Sequence, residues 1–405
     1  MALRINNAPE HSSMLGLSTR VMRTLPIAAL LAFVSPAFLL AHRLPLPSQL
    51  PVNPGIGVDT MAANVWGRPW QRQTASIYRR WSEFLASDRP RFTAPGTVPS
   101  PYWDIEEQRR WITFPLALNL SGGGGAPTIL DIRPAMPGAD SVYVVKTLFT
   151  SPETSRLPLA LVRVYAVRRD GQWVFSNALP RLTRSWRRVT VGPFTYVVAP
   201  GYQFRPEQAR LAVAFTDSVA RAFGVSMPRD VEYFLTESPD EMNRILGIDW
   251  MPTATDGGAL SSGPNRLIVS GDSRRGENYR HELAHIALSE WSTRGVHPMV
   301  WEGVATWLGG TLGMSSAETR RAYAKYLGEH TDVTLDAVLH ARVDQGFRPA
   351  GAAIIQMVYA EKGLAGVKAL LSAGPSEDAL KATLQRVLGG SWADIQSRWR
   401  QLASH

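Results

Sequence analysis

Apolar residues change their spacing along this chain, and each change marks a different kind of element. An almost unbroken apolar run covers Leu25 to Ala41, followed by a Pro-, Leu- and Gly-rich linker to residue 60. From Trp70 to Asp88 the apolar positions Ile77, Trp81, Phe84 and Leu85 recur at helical spacing and predict an amphipathic helix. The four-glycine stretch Ser121 to Ala126 reads as a loop. From Thr128 the period falls to two. Strands are predicted at 128–132, 141–149 and 159–167, then a turn at Arg169-Asp170-Gly171-Gln172 into Trp173-Val174-Phe175, and a further strand at 187–191 stopped by Gly192-Pro193. A helix followed by a run of antiparallel strands reads as a compact α+β roll over residues 61–193.

From about Thr195 the order alternates. A strand at 195–199 leads to a helix from Arg205 to Phe223, marked by Leu211, Ala212, Phe215, Val219 and Phe223 and closed by Gly224. A strand follows at 231–235, and Ser238-Pro239-Asp240-Glu241 has the residues of a helix start. Residues 252–264, rich in Gly, Ser and Thr, read as a loop, and 266–270 as a strand. A helix spans Tyr279 to Leu288, and a second starts near Pro298, a residue suited to a first helical turn. From Ser315 onward nearly everything reads as helix, the last one capped by Ser391 with Asp394 three residues on. The division is therefore a leader over 1–44, a linker over 45–60, the α+β roll over 61–193 and a second unit over 194–405.

Composition changes this picture in three places. The chain has 405 residues and is 45% hydrophobic, enough for two ordinary cores. Its formal charge is +9, but arginine pairs such as Arg79-Arg80, Arg109-Arg110, Arg168-Arg169 and Arg187-Arg188 are scattered over presumed outer faces. That reads as solvated surface, not as a nucleic-acid footprint. There are no cysteines, so disulfides, thiol nucleophiles, Cys-ligated zinc and a lipidated N-terminal Cys are ruled out. Arg20 and Arg23 precede the run at 25–41, which is short for a membrane span and carries Pro26 and Pro36. It is read either as a cleaved signal, with a small-residue site at Ser35-Pro36-Ala37, or as a retained anchor. Both readings export the chain to the periplasm, the membrane surface or the medium.

The chemistry sits at His281-Glu282-Leu283-Ala284-His285. On a helix, residues four apart share a face, so both imidazoles can reach one metal ion, and Glu282 lies beside it as a base for a bound water. Glu302 lies 302 − 285 = 17 positions on, enough chain to leave one helix and enter the next. Two His and one carboxylate leave a fourth position open, as in catalytic zinc sites. His297 and Glu290 are alternative third ligands, and Glu290, Asp272 and Asn278 are within reach to orient the imidazoles. Tyr102, Trp103, Trp111 and Trp173 in the roll read as aromatic core or as a pocket lining.

His-Glu-x-x-His followed by Glu302-Gly303-Val304-Ala305 on the next helix resembles the gluzincin zinc metallopeptidases, in their peptidase-MA-like branch, over residues 195–405. The resemblance implies zinc held by His281, His285 and Glu302, Glu282 as general base, and an edge strand beside the site that binds extended peptide or protein substrate. It also implies a Tyr or His oxyanion donor just before a small-residue helix. The corresponding stretch is Gly346 to Ala352, where Phe347 stands at the expected tyrosine and has no proton to donate. Arg348, Tyr323, Tyr326, His330 and His340 are the remaining candidates. The order of elements before residue 193 resembles the cystatin-like rolls related to nuclear transport factors. The function expected is a zinc peptidase acting in the bacterial cell envelope or outside it. The alternatives are a pseudo-peptidase that binds peptide without cleaving it, and an envelope binding protein working through its roll.

Overall fold

The computed structural model describes residues 57–58, 71–86, 101–104, 126–138, 140–151, 157–251, 258–263, 266–271, 274–292, 295–340 and 347–403. The apolar run at 25–41, nearly all of the linker, Ser121–Gly125, Trp111 and Asp272 lie outside them. No described helix is long and apolar enough to cross a membrane.

Two sheets and a block of helices make up the fold, mixed α and β with a helical C-terminal part. The first sheet runs β1 (Gly57–Val58), β2 (Ala126–Pro134), β3 (Val142–Thr150), β4 (Pro158–Arg169), β5 (Gln172–Ser176) in spatial order. β2 to β5 are antiparallel neighbours. Asp170 and Gly171 both have positive φ (48° and 79°), the geometry of a two-residue hairpin turn that matches strand twist. Helix α1 (Gln71–Ala86) lies across this sheet. Its Ile77, Trp81, Phe84 and Leu85 are all buried with Trp103, Phe149 and Phe175. Trp81 also donates its indole N–H to Thr147 Oγ1 at 2.9 Å, so its one polar atom is satisfied inside the core. Trp103 and Trp173 are buried and Tyr102 packs beside them, so these aromatics are core.

After the short helix α2 (Ala178–Leu182) the second sheet forms from β6 (Arg187–Val191), β7 (Phe194–Val198), β8 (Val231–Leu235), β10 (Ala259–Ser262) and β11 (Leu267–Ser270). Its spatial order is β10-β11-β8-β7-β6. The three central strands are parallel and the two outer ones antiparallel. The central strands are nearly continuous apolar runs, as expected where both faces are covered. Helix α3 (Pro206–Phe223) crosses from β7 to β8 and ends at Gly224 in the left-handed region (φ 68°). Arg187–Val191, grouped by sequence with the roll strands, is instead the edge of this second sheet. Gly192, at φ 57°, makes the turn of a hairpin with β7, so the Gly-Pro break does not end the pairing.

One strand crosses between the sheets. Helix α4 (Pro239–Ile245) is followed by β9 (Ile248–Trp250), which pairs antiparallel with β4 in the first sheet. Asp249 there bonds both Lys146 (2.8 Å) and Arg163 (2.9 Å). Arg163 N–H donates to Gly247 O at 2.7 Å.

The rest is helical: α5 (Arg280–Ala287), α6 (Ser289–Ser292), α7 (Pro298–Gly309), α8 (Ser316–Glu329), α9 (Leu335–His340), α10 (Phe347–Leu371), α11 (Glu377–Leu388) and α12 (Trp392–Ala403). α10 breaks at Gly363 (φ 58°). Ser315 and Glu318 cap α8 reciprocally, and Ser391 with Asp394 does the same for α12. α5 is the hinge of the architecture. Its Leu283 and Ile286 pack into the second-sheet core, while Ala284 and Ala287 pack into the helical core. With both apolar stripes covered, the face carrying His281 and His285 has one place left to point.

Candidate metal centre

That place is occupied by α7. His281 Nε2 lies 3.4 Å from Glu302 Oε2, and His285 Nε2 lies 3.6 Å from Glu302 Oε1. One ligand atom from each residue falls within 4.8 Å of the others. The edge of a tetrahedron with ~2.0–2.1 Å zinc bonds is about 3.3–3.4 Å. Glu302 therefore stands at close to the separation from each imidazole that a bound zinc would need.

Each of the three side chains is held from behind. His281 Nδ1 lies 2.8 Å from the Gly310 carbonyl, which can only accept. The proton therefore sits on Nδ1 and the lone pair of Nε2 faces the site. Nε2 is buried with no hydrogen-bond partner, a costly arrangement unless a further group completes it. The His285 ring stacks on Trp301 (centroids 4.8 Å apart, planes at 27°). Burial lowers the pKa of His285 to about 3, which keeps its nitrogen lone pair free of a proton. Burial disfavours the charge of Glu302, but the Arg348 guanidinium outweighs it and holds the carboxyl well below its usual range. Arg348 Nε sits 2.7 Å from Glu302 Oε2. Arg348 Nη1 reaches Thr311 Oγ1 at 3.4 Å. A neutral imidazole pair and an anionic carboxylate around one unpartnered nitrogen is a donor set that fits zinc.

Glu282, next to His281 on the same helix, is bonded to the edge strand β10. Ser261 on β10 donates its hydroxyl to Glu282 Oε2 at 2.6 Å. Burial raises the Glu282 carboxyl above its usual value, an effect partly offset by His281 and Ser261.

The structure gives the remaining candidates other tasks. His297 is the N-cap of α7, its Nδ1 accepting from Met299 N–H at 3.2 Å, and is not in the ligand group. Glu290 accepts from Ser226 N–H at 3.1 Å. Asn278 bonds Gln208 at 3.4 Å. Phe347 lies buried in the helical core, so the side chain at the expected tyrosine packs with apolar neighbours. Tyr323 is also core, against Tyr326 and Trp399. His330 stacks on Tyr326, and His340 faces Glu377. Of the five donor candidates, Arg348 alone is brought to the ligand group.

No family model and no curated protein matches the chain. Among solved structures it is similar to an M1 zinc metallopeptidase from Deinococcus radiodurans, 15% identical at a TM-score of 0.31, covering 70% of this chain and 65% of that one. It is similar also to a point mutant of the M1 zinc metallopeptidase of that organism bound to a Tyr-Ser-Ala substrate, at 14% identity, TM-score 0.32, and coverage of 70% and 66%. A two-domain M1 mutant bound to L-tryptophan gives the same figures. The chain thus spans just under two thirds of the length of the structures it matches. Likeness at this level does not assign a function, and the site's geometry stands apart from it.

Sequence reasoning missed Ser261, Gly310 and Thr311. Ser261 falls in the stretch 252–264 read as loop, whose residues 259–262 are in fact the edge strand β10, paired with β11. Small polar residues carry no strand signal of their own, and here the neighbouring strand imposes the conformation. Gly309-Gly310 did carry a signal. A glycine pair closing a predicted helix leaves carbonyls free to accept, and one of them orients His281.

Proposed function

We propose that the chain is a zinc-dependent peptidase in which His281, His285 and Glu302 hold the metal and Glu282 is the general base. The observation that carries the reading is the buried, unpartnered Nε2 of His281 beside Glu302, with His285 Nε2 at a similar distance from the same carboxylate and all three ligand atoms within 4.8 Å of one another. When bound, the metal supplies a Lewis acid that acidifies a water molecule and polarises a carbonyl. The chain's own residues do the rest. Ser261 occupies Oε2 of Glu282 and leaves Oε1 to take the proton from the attacking water. As the water oxygen bonds the carbonyl carbon, the π pair moves to the carbonyl oxygen. When the C–N bond breaks, Glu282 returns the proton to the leaving amine nitrogen. Among the described residues β10 is the outermost strand of the second sheet, beside α5, and an extended peptide can add to it as a further strand.

The N-terminal unit is read as a cystatin-like roll, and the run at 25–41 as the segment that exports the chain to the cell envelope. A reporter fused after residue 60 should be active only if it works outside the cytoplasm. Equal activity of a strictly cytoplasmic reporter would contradict export.

A second reading is a chain that holds metal and peptide without turnover. It is favoured by one observation, the burial of Phe347 where a phenol donor was expected. Digestion of a peptide library by the zinc-loaded chain separates the two. The peptidase reading predicts cleavage that falls at least ~10²-fold in Glu282→Gln, with zinc content unchanged. Cleavage that persists undiminished in Glu282→Gln would show that the assigned base is wrong.

A further inference from the structure

A peptidase site needs a donor for the negative charge that forms on the carbonyl oxygen. Of the tyrosines and histidines that the sequence offered as donors, Tyr323, Tyr326, His330 and His340 all pack elsewhere. One strong donor does stand at the ligand group. Arg348 opens α10, and the close packing of α10 on α7 carries it against Glu302. A Cβ on Gly303 would lie 2.5 Å from the carbonyl carbon of Gly351, so the two helices meet backbone to backbone next to Glu302 and one turn from Arg348.

The guanidinium is fixed on two of its three nitrogens. Nε is held by Glu302 and Nη1 by Thr311, which lies next to the Gly310 carbonyl that orients His281. Among the described residues Nη2 makes no hydrogen bond, and it belongs to the guanidinium whose Nε lies 2.7 Å from Glu302 Oε2. The side chain is 18% exposed. An arginine clamped on one edge presents its remaining N–H donors in a fixed plane, with little orientational entropy left to lose. A guanidinium stays charged at any working pH.

We propose that Arg348, through Nη2, is the catalytic residue that stabilises the oxyanion, taking the part of the absent phenol. This rests on the peptidase reading. It makes the site one in which a single side chain both braces a metal ligand and meets the developing charge. Phe347 is then free to serve the core, and its burial ceases to argue against turnover.

The test uses the zinc-loaded full-length chain and two probes, with binding measured by calorimetry. One is a phosphinic pseudo-tripeptide, whose anionic P–O groups stand in for the tetrahedral oxyanion. The other is the corresponding reduced-amide peptide, which has no oxygen at that position. Arg348→Met should weaken the phosphinic peptide by about 10²–10³-fold and the reduced amide by less than about threefold. Arg348→Lys, which keeps a charge against Glu302 if the methionine variant misfolds, should weaken the phosphinic peptide selectively, by about tenfold or more. Methylguanidinium added to Arg348→Met should recover part of the phosphinic affinity. Equal weakening of both probes, or no weakening of either, would overturn the assignment while leaving the peptidase reading standing. If the zinc-loaded wild type binds neither probe, the peptidase reading itself fails and this inference with it.

Discussion

Gly303 and Gly351 touch across the α7–α10 crossing so closely that a side chain on either would strike the other's backbone. Each stands next to a functional residue: Gly303 follows Glu302 directly, and Gly351 lies one turn beyond Arg348. The spacing of the two helices therefore sets the Glu302–Arg348 distance of 2.7 Å. It is a packing decision with a chemical consequence.

Gly303→Ala should force the helices apart or distort them. The expected cost is about 1–3 kcal/mol by urea denaturation, typical of overpacking. Zinc affinity should fall with it, because the third ligand loses its brace. A variant as stable as wild type with unchanged zinc affinity would show that the contact does not position the site.

The N-terminus of the metal helix rests on a buried carboxylate. Glu277, fully buried, accepts from the Arg205 backbone N–H (2.6 Å) and from Arg205 Nε (3.1 Å). Tyr196 and Tyr233 donate to the carbonyls of Glu277 and Gly276 in the same turn, which immediately precedes α5. Breaking a fully buried pair costs about 3–5 kcal/mol, and Arg205 retains partial solvent contact, so Glu277→Ala should cost about 2–3 kcal/mol. Urea unfolding measures it, and a loss under about 0.5 kcal/mol, the scale of ordinary surface substitutions, would contradict the account.

The cap of α7 should make the fold acid-sensitive. Burial lowers the pKa of His297 to about 4, partly offset by Glu377, against about 6.5 for an unfolded histidine. The folded state thus binds the proton more weakly than the unfolded state. The stabilisation is complete above pH ~6.5 and is lost as pH falls towards ~4, by up to about 3 kcal/mol. His297→Asn preserves a side-chain cap without a titrating group. The difference in unfolding free energy between the two proteins should therefore shrink in favour of the variant across pH 6.5 to 4. A pH-independent difference would contradict the burial of a neutral imidazole.

Much of this fold was legible because its strongest signals are local. The period-two strands, the Asp170-Gly171 turn, the Arg205–Phe223 stretch with its closing Gly224 and the helix entered at Pro298 each follow from nearby residues. The pairing of His281 with His285 on one helical face was legible too, from spacing alone. What could not be read depends on contacts distant in sequence. β9 crosses to the first sheet because Asp249 finds Lys146 and Arg163, about a hundred positions earlier. β10 is a strand because β11 offers it an edge, and Ser261 meets Glu282 only through that pairing. Arg348 was one of five donor candidates until the Gly303–Gly351 contact brought it to Glu302.

The central claim is that His281, His285 and Glu302 form one metal site, and metal content tests it most directly. Zinc measured by mass spectrometry on the purified chain, after dialysis against a weak chelator, should be close to one per molecule. His281→Ala or His285→Ala should each abolish it, because two remaining ligands make a weak site. Stoichiometric zinc retained in the His281→Ala, His285→Ala double variant would place the metal elsewhere and contradict the account.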